Sequence, residues 1–220
     1  MTDTKLHTET LDHLLDAILP HVAFDGWNGH SLSLAGRESG LSSGAIALAT
    51  PRGVLDLIAH WSMRCDERAK AAIAEADLQS MKIRERVTFA VQCRLDTLKD
   101  HEEAARKARA RLLLPDAGPL GAELVWATSD MIWRALGDPS TDVNFYTKRL
   151  TLSAVYGSSL AAWLGDDTRE KAKAKAFLDR RIENVMSFEK FKAQTRKLTD
   201  GLPDPAEMLA KLRYGFGGRH

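Results

Sequence analysis

Few side chains in this sequence are spaced to do chemistry together. The densest set is the run Asp142-Val-Asn-Phe-Tyr-Thr-Lys-Arg149, with a carboxylate, two adjacent aromatics and two cations in eight positions. Elsewhere the reactive residue types are scattered. The seven histidines (His7, His13, His21, His30, His60, His101, His220) include none with a Glu three residues before it, so the Glu-x-x-His pattern of carboxylate-bridged metal bundles is missing. There is no H-E-x-x-H, no G-x-S-x-G and no phosphate-binding loop. Gly215-Phe-Gly-Gly218 has no helix after it and cannot cradle a phosphate. His60, beside Trp61 on a helical face, reads as a packed or surface histidine. Cys65 and Cys93 are far apart, form no C-x-x-C and suit two buried thiols in a reducing compartment. These residues assemble no catalytic centre, so the expectation is a protein that is not an enzyme and has neither cofactor nor metal.

The elements that must position these residues are helical. At 220 residues and 44% hydrophobic content the chain is long enough for a real core without disulfide staples. Apolar residues recur at helical spacing, and no convincing run of alternating β-branched residues is present. The pattern predicts an all-α protein of about nine or ten helices. The first spans about 8–22, with Leu11, Leu14, Leu15, Ile18 and Leu19 on one stripe, and ends at Gly26 and Gly29. Thr50-Pro51 reads as an N-cap followed by a first-turn proline, opening a helix through Ile58 and Trp61. Further helices are expected at about 82–99, from Pro119 to Gly137, through Leu152, Tyr156 and Leu164, and through Phe177, Ile182 and Phe188.

Residues 31–49 predict two short helices joined at Ser39-Gly40-Leu41, a helix-turn-helix in which Gly40 supplies a positive φ. The arrangement resembles the N-terminal part of TetR-type regulators. A DNA-reading second helix needs polar side chains for base edges and cations for phosphates. Here it reads Ser43-Gly-Ala-Ile-Ala-Leu-Ala-Thr50, without charge, amide or aromatic. Residues 1–60 carry three basic against seven acidic side chains, a net −4. Such a segment has little with which to neutralise a phosphate backbone, so the helix-turn-helix is expected to be vestigial and nucleic acid is not an expected partner. The competing reading is a TetR-type transcriptional regulator that senses an apolar ligand.

The chain divides into three regions: 1–53, helix-turn-helix-like; 54–198, a helical ligand-binding and dimerising body; and 199–220, an amphipathic tail. In the body, Trp61, Phe89, Trp126, Met131, Trp133 and Tyr156 are the candidate lining of an apolar lipid pocket, with plain core as the other reading. The small residues Gly157 to Ala162 suit close helix contact in a dimer. Residues 168–198 hold ten cations against four carboxylates, a net +6. After them Asp204-Pro205-Ala206-Glu207 signals a helix start. Met208, Leu209 and Leu212, flanked by Lys211 and Arg213, suit an anionic membrane surface. No secretory signal, transit pattern or membrane span is evident in the sequence, which leads us to expect a cytoplasmic protein held peripherally at the inner membrane.

Several signatures recur together: "ILPHVAFDGW" (18–27), "PRGVLDLIAHW" (51–61), "KIRERV" (82–87), "DPSTDVNFYTKRLTLSAVY" (138–156) and "FLDRRIENVM" (177–186). In this order they resemble the lipid-binding accessory proteins of ubiquinone biosynthesis, the ninth of the coenzyme Q series, across nearly the whole chain. The resemblance implies a TetR-like fold, a homodimer, and binding of an isoprenoid quinone or phospholipid. It also implies assistance to the hydroxylase that acts on demethoxy-ubiquinone, or to another enzyme of that pathway. For Asp142, Asn144, Phe145, Tyr146, Lys148 and Arg149 it implies a partner-binding patch, with Phe145 where relatives often carry Trp. The residues also allow another reading, because Phe145, Arg149, Leu152 and Tyr156 share one helical stripe. Phe145 is then core, and Arg149 pairs internally with Asp142.

Overall fold

The computed structural model describes the backbone of residues 2–199 and the side chains of residues 5–187. Among the described residues there are nine α-helices and no strand: α1 (Thr2–Asp25), α2 (Gly29–Glu38), α3 (Ser43–Ala49), α4 (Val54–Ala74), α5 (Ile83–Asp96), α6 (Glu102–Leu112), α7 (Leu120–Ala135), α8 (Val143–Leu164) and α9 (Ala172–Thr199). Two compact units divide between Arg181 and Ile182, and the first holds α1 to α8 with the start of α9.

α1 buries Leu11, Leu14, Leu15, Ile18, Leu19 and Val22. It packs on α2, α3, α4 and α6. It runs past the expected end at Val22 to Gly26, whose φ of +79° stops it. Gly29 does not end this helix; it is the first residue of α2, whose N-cap is Asn28. The Asn28 Oδ1 accepts from the backbone N–H of His30 (2.9 Å) and Ser31 (3.1 Å). Gly40 sits at φ +66° between α2 and α3. Gly36 lets these helices meet, since a Cβ there would come within 2.7 Å of the Ile46 Cδ1.

The Thr50-Pro51 reading is corrected. Thr50 closes α3, its hydroxyl donating to the Ile46 carbonyl at 2.7 Å, and α4 begins at Val54 after Gly53 at φ +65°. Asp56 draws the turn in by accepting from the backbone N–H (2.6 Å) and the Nε (2.7 Å) of Arg52. The expected helix over 82–99 is α5, which stops at Asp96. Thr97 donates its hydroxyl to the Arg94 carbonyl at 2.7 Å, one of the local side-chain bonds that favour a helix end, and α6 starts after a 3-10 turn. His60 is packed, as expected, with its Nε2 2.8 Å from the Asp12 Oδ1.

The core lies where α4 meets α5 and α7, and α7 lies along α8. Gly157 of α8, expected in a dimer contact, faces Val125 of α7, with 3.8 Å between its Cβ direction and the valine methyl. Its small size serves packing within the chain.

Candidate functional site

Five helices leave a cavity of about 310 Å³ between them. α4 contributes Ile58, Trp61, Ser62 and Cys65; the α5 segment, Arg94 and Leu98; α6, Ala105, Ala108 and Leu112; α7, Gly121, Leu124, Val125 and Thr128; α8, Tyr156, Gly157 and Leu160. Leu113, 71% exposed, also borders it and so marks its mouth beside the end of α6. The space exists because the wall alternates large side chains with alanine and glycine, which leave their positions unfilled.

The wall is apolar except for Arg109, exposed on α6, and for one polar end. There the Arg94 Nε donates to the Asp66 Oδ1 at 2.5 Å, and the Thr128 hydroxyl donates to the same oxygen at 2.9 Å. Arg94 also donates from Nη2 to the Ser62 hydroxyl (3.1 Å) and from Nη1 to the Thr97 hydroxyl (3.4 Å). Its guanidinium carbon lies 5.8 Å from the centre of the Tyr156 ring. Burial opposes the charge on Arg94, but Tyr156 and Asp66 outweigh it and hold the guanidinium protonated. Burial pushes the Asp66 carboxyl up, against the pull of Arg94 and Thr128, and it pushes the Tyr156 hydroxyl up as well. The result is a fixed set of hydrogen-bonding groups at the end of a greasy chamber.

Of the six residues expected to line a lipid pocket, Trp61 and Tyr156 border this cavity. The other four do not. Phe89 borders a separate groove of about 430 Å³ that includes Lys175, Leu178 and Asp179 of α9. Trp126 and Trp133 are half-buried on a side of α7 roughly 130° round the helix from its cavity face. Met131 shares that face with Leu124, but lies about 4.5 Å further along the axis than Thr128. The expectation rests on bulky aromatics, whereas alanine and glycine make the space. Sequence reasoning therefore misses Ala105, Ala108, Gly121 and Arg94. Arg94 carries a signal, a cation between Val91 and Leu95 on a buried face.

The start of α8 is built differently. Asp142 is its N-cap, accepting from the Asn144 backbone N–H at 3.0 Å and from the Asn144 side-chain amide at 3.2 Å. Arg149 was expected on the partner-facing patch, and the structure buries it to 1% exposure. Its Nε donates to the Asp130 Oδ1 (2.6 Å) and its Nη1 to the Asp138 Oδ2 (3.3 Å) and the Phe145 carbonyl (3.2 Å), while its guanidinium lies 3.5 Å from the centre of the Phe145 ring. The internal partners of Arg149 are thus Asp130 and Asp138, not Asp142. Lys148 is half-buried, donating to the Asp138 Oδ1 at 2.6 Å, and the Trp133 Nε1 donates to its carbonyl at 3.1 Å. Burial works against the Asp138 carboxylate, but bonds from Lys148, Ser140 and Arg149 hold its pKa below the usual range. Above this polar base stand Val143 (77% exposed), Tyr146 (64%) and Leu150 (66%). Their spacing of three and four residues makes one outward apolar stripe. Asn144 is also exposed, and Phe145 meets Tyr146 edge-on with 5.1 Å between ring centres.

Met208, Leu209, Lys211, Leu212 and Arg213, expected to meet a membrane, lie outside the described residues. Among those described, no three His, Cys, Asp or Glu side chains are grouped so as to hold a metal ion, and no helix is long and apolar enough to cross a membrane.

The family model COQ9 matches residues 118–189, which hold α7, α8 and the start of α9. The "Ubiquinone biosynthesis protein COQ9, mitochondrial" of Rattus norvegicus is 28% identical over 216 residues, covering 93% of this chain and 69% of the relative. The Homo sapiens protein of that name is also 28% identical, over 93% of this chain and 68% of its own length. The chain is similar to these COQ9 proteins over far more of its length than the 118–189 segment. The chain is also similar in structure to "the TetR transcriptional regulator from Nitrosomonas europaea ATCC 19718", with a TM-score of 0.62 at 20% identity over 79% of this chain and 95% of that one. The fold of the chain is therefore all-α and TetR-like.

Proposed function

We propose that the chain is a non-catalytic lipid-binding protein of ubiquinone biosynthesis. It holds an isoprenoid quinone intermediate in the cavity between α4 and α8, rests on a membrane, and presents the lipid to a partner hydroxylase. The observation that carries this reading is the largely apolar cavity of about 310 Å³, with a mouth at Leu113. The pathway is that named for the COQ9 proteins the chain resembles. Moving one five-carbon isoprene unit from lipid to water costs about 4 kcal/mol, at roughly 0.8 per carbon, so a carrier must supply an apolar sleeve. A cavity near the lower end of the usual ligand-pocket range takes part of a long polyprenyl chain at a time.

The partner surface in this reading is the stripe Val143, Tyr146 and Leu150, with Asn144 beside it; Phe145, Lys148 and Arg149 hold the stripe from below. The basic apolar tail meets the membrane, and two copies form the working unit. A regulator reading fares worse at α3, which carries no charge and exposes Leu48 (79%) where a DNA-reading helix would offer polar side chains.

Native mass spectrometry of gently purified protein, with lipid identification after denaturation, tests the proposal. A dimer carrying an isoprenoid quinone is expected. Protein that purifies empty and takes up no isoprenoid quinone from vesicles would sink it.

A further inference from the structure

The polar end of the cavity calls for an explanation that an apolar sleeve does not give. A guanidinium 3% exposed is costly to desolvate, and a purely hydrocarbon ligand gains nothing from it. Arg94 has five N–H bonds, and three go to Asp66, Thr97 and Ser62. One N–H on each terminal nitrogen is left over. The same wall carries the hydroxyls of Ser62, Thr128 and Tyr156. Among the remaining neighbours Cys65 offers a thiol and Arg109, exposed on α6, a cation; the rest are apolar.

Resting on the lipid-binding reading above, we infer that Arg94, Ser62 and Tyr156 form a head-group seat, with Thr128 fixing Asp66 behind it. It receives the oxygens of a neutral ring, a benzoquinone or phenol, so that the lipid enters head first and its tail runs past Leu160 toward Leu113. The charge balance selects the class. Asp66 already neutralises Arg94 at 2.5 Å, so a second carboxylate, as on a fatty acid, would bring like charge against Asp66. A carbonyl or hydroxyl oxygen accepts the spare N–H bonds without that repulsion. A buried site made to donate to an oxygen rejects the analogue lacking it, because its donors are then left unpaired.

The test is displacement of a fluorescent apolar probe from the full-length protein by 2-decyl-1,4-benzoquinone, decylbenzene and dodecanoate. The benzoquinone should displace the probe at concentrations about tenfold below those of decylbenzene, the ratio expected of one or two hydrogen bonds to a charged group. Tyr156→Phe and Ser62→Ala should each cut that preference about threefold or more while decylbenzene stays unchanged. Melting curves check that both variants fold, and Ser62, half-buried, is the position whose truncation disturbs the core less. Equal displacement by quinone and hydrocarbon, a preference that survives the substitutions, or tighter binding of dodecanoate would each overturn the seat. If none of the three displaces the probe, the lipid-binding reading fails as well.

Discussion

At the scale of single residues, the start of α8 separates into two jobs. Arg149 holds Asp130, Asp138 and the Phe145 ring from within, whereas Tyr146 stands in solvent. Arg149→Ala would take one of two cations from each carboxylate, Asp130 keeping Arg134 and Asp138 keeping Lys148, and would open a cavity beside Phe145; a buried truncation of that size typically costs about 2–5 kcal/mol. The expected result is a large fall in melting temperature. Tyr146→Ala removes mostly exposed surface, so stability should shift by less than about 0.5 kcal/mol. If the proposed docking holds, the same variant loses capture of the partner hydroxylase in a pull-down, as an aromatic interface anchor would. Unchanged capture would remove Tyr146 from the interface. In the sequence these residues form one patch. Their separation depends on Asp130 and Asp138 coming up beneath α8 from α7 and its following turn, which spacing along α8 does not reveal.

At the scale of elements, the breaks at Gly40 and Gly137 were legible in the sequence, whereas the capping side chains show only in the structure. Asn28, Ser42 and Asp142 cap helices through bonds two or three residues away, and the glycines at 40 and 137 supply positive φ between elements. The signal at Thr50-Pro51 misled because the same residues equally suit the end of α3, and the Arg52–Asp56 contact sets the true start of α4. The connection into α9 has a cap spread over nine residues, Asp166 to Ala174. Asp166 accepts from the Thr168 hydroxyl (2.6 Å) and backbone N–H (2.8 Å), and from the Ala174 backbone N–H (2.8 Å). These bonds, Thr168's hydroxyl first, hold its pKa down to about 2, against 3.8 for a free carboxyl. A depressed carboxyl pKa stabilises the fold fully above 3.8; as pH falls from there to about 2, the unfolded chain takes the proton first and the contribution is lost. The gap in melting temperature between wild type and Asp166→Asn should therefore be full at neutral pH and close over that acid range. A gap that stayed constant down to pH 2 would mean the carboxylate charge is not what stabilises this connection.

At the scale of the whole molecule, the deciding feature is a void, and a void follows from what five helices fail to fill. Ala108 points into it at 6% exposure. Overpacking a filled core usually costs about 1–3 kcal/mol, but here the added methyl groups have room. Ala108→Leu is expected to keep its melting temperature and to lose bound lipid in native mass spectrometry. A marked drop in stability would show that the site is already filled by neighbouring side chains. By itself the sequence determined that the chain is helical, where most breaks fall and which stripe of α1 is buried, because periodicity and turn glycines act within a few residues. It also held, in the order of its signatures, the likeness to ubiquinone biosynthesis proteins. Only the tertiary structure decided that Arg149 is buried, that Phe89 and Trp126 lie off the cavity, and that Arg94, Thr128 and Tyr156 meet at one end of it. Those outcomes depend on how α4 to α8 are rotated and spaced against one another, and that is set by packing across the fold rather than by any neighbour in the chain.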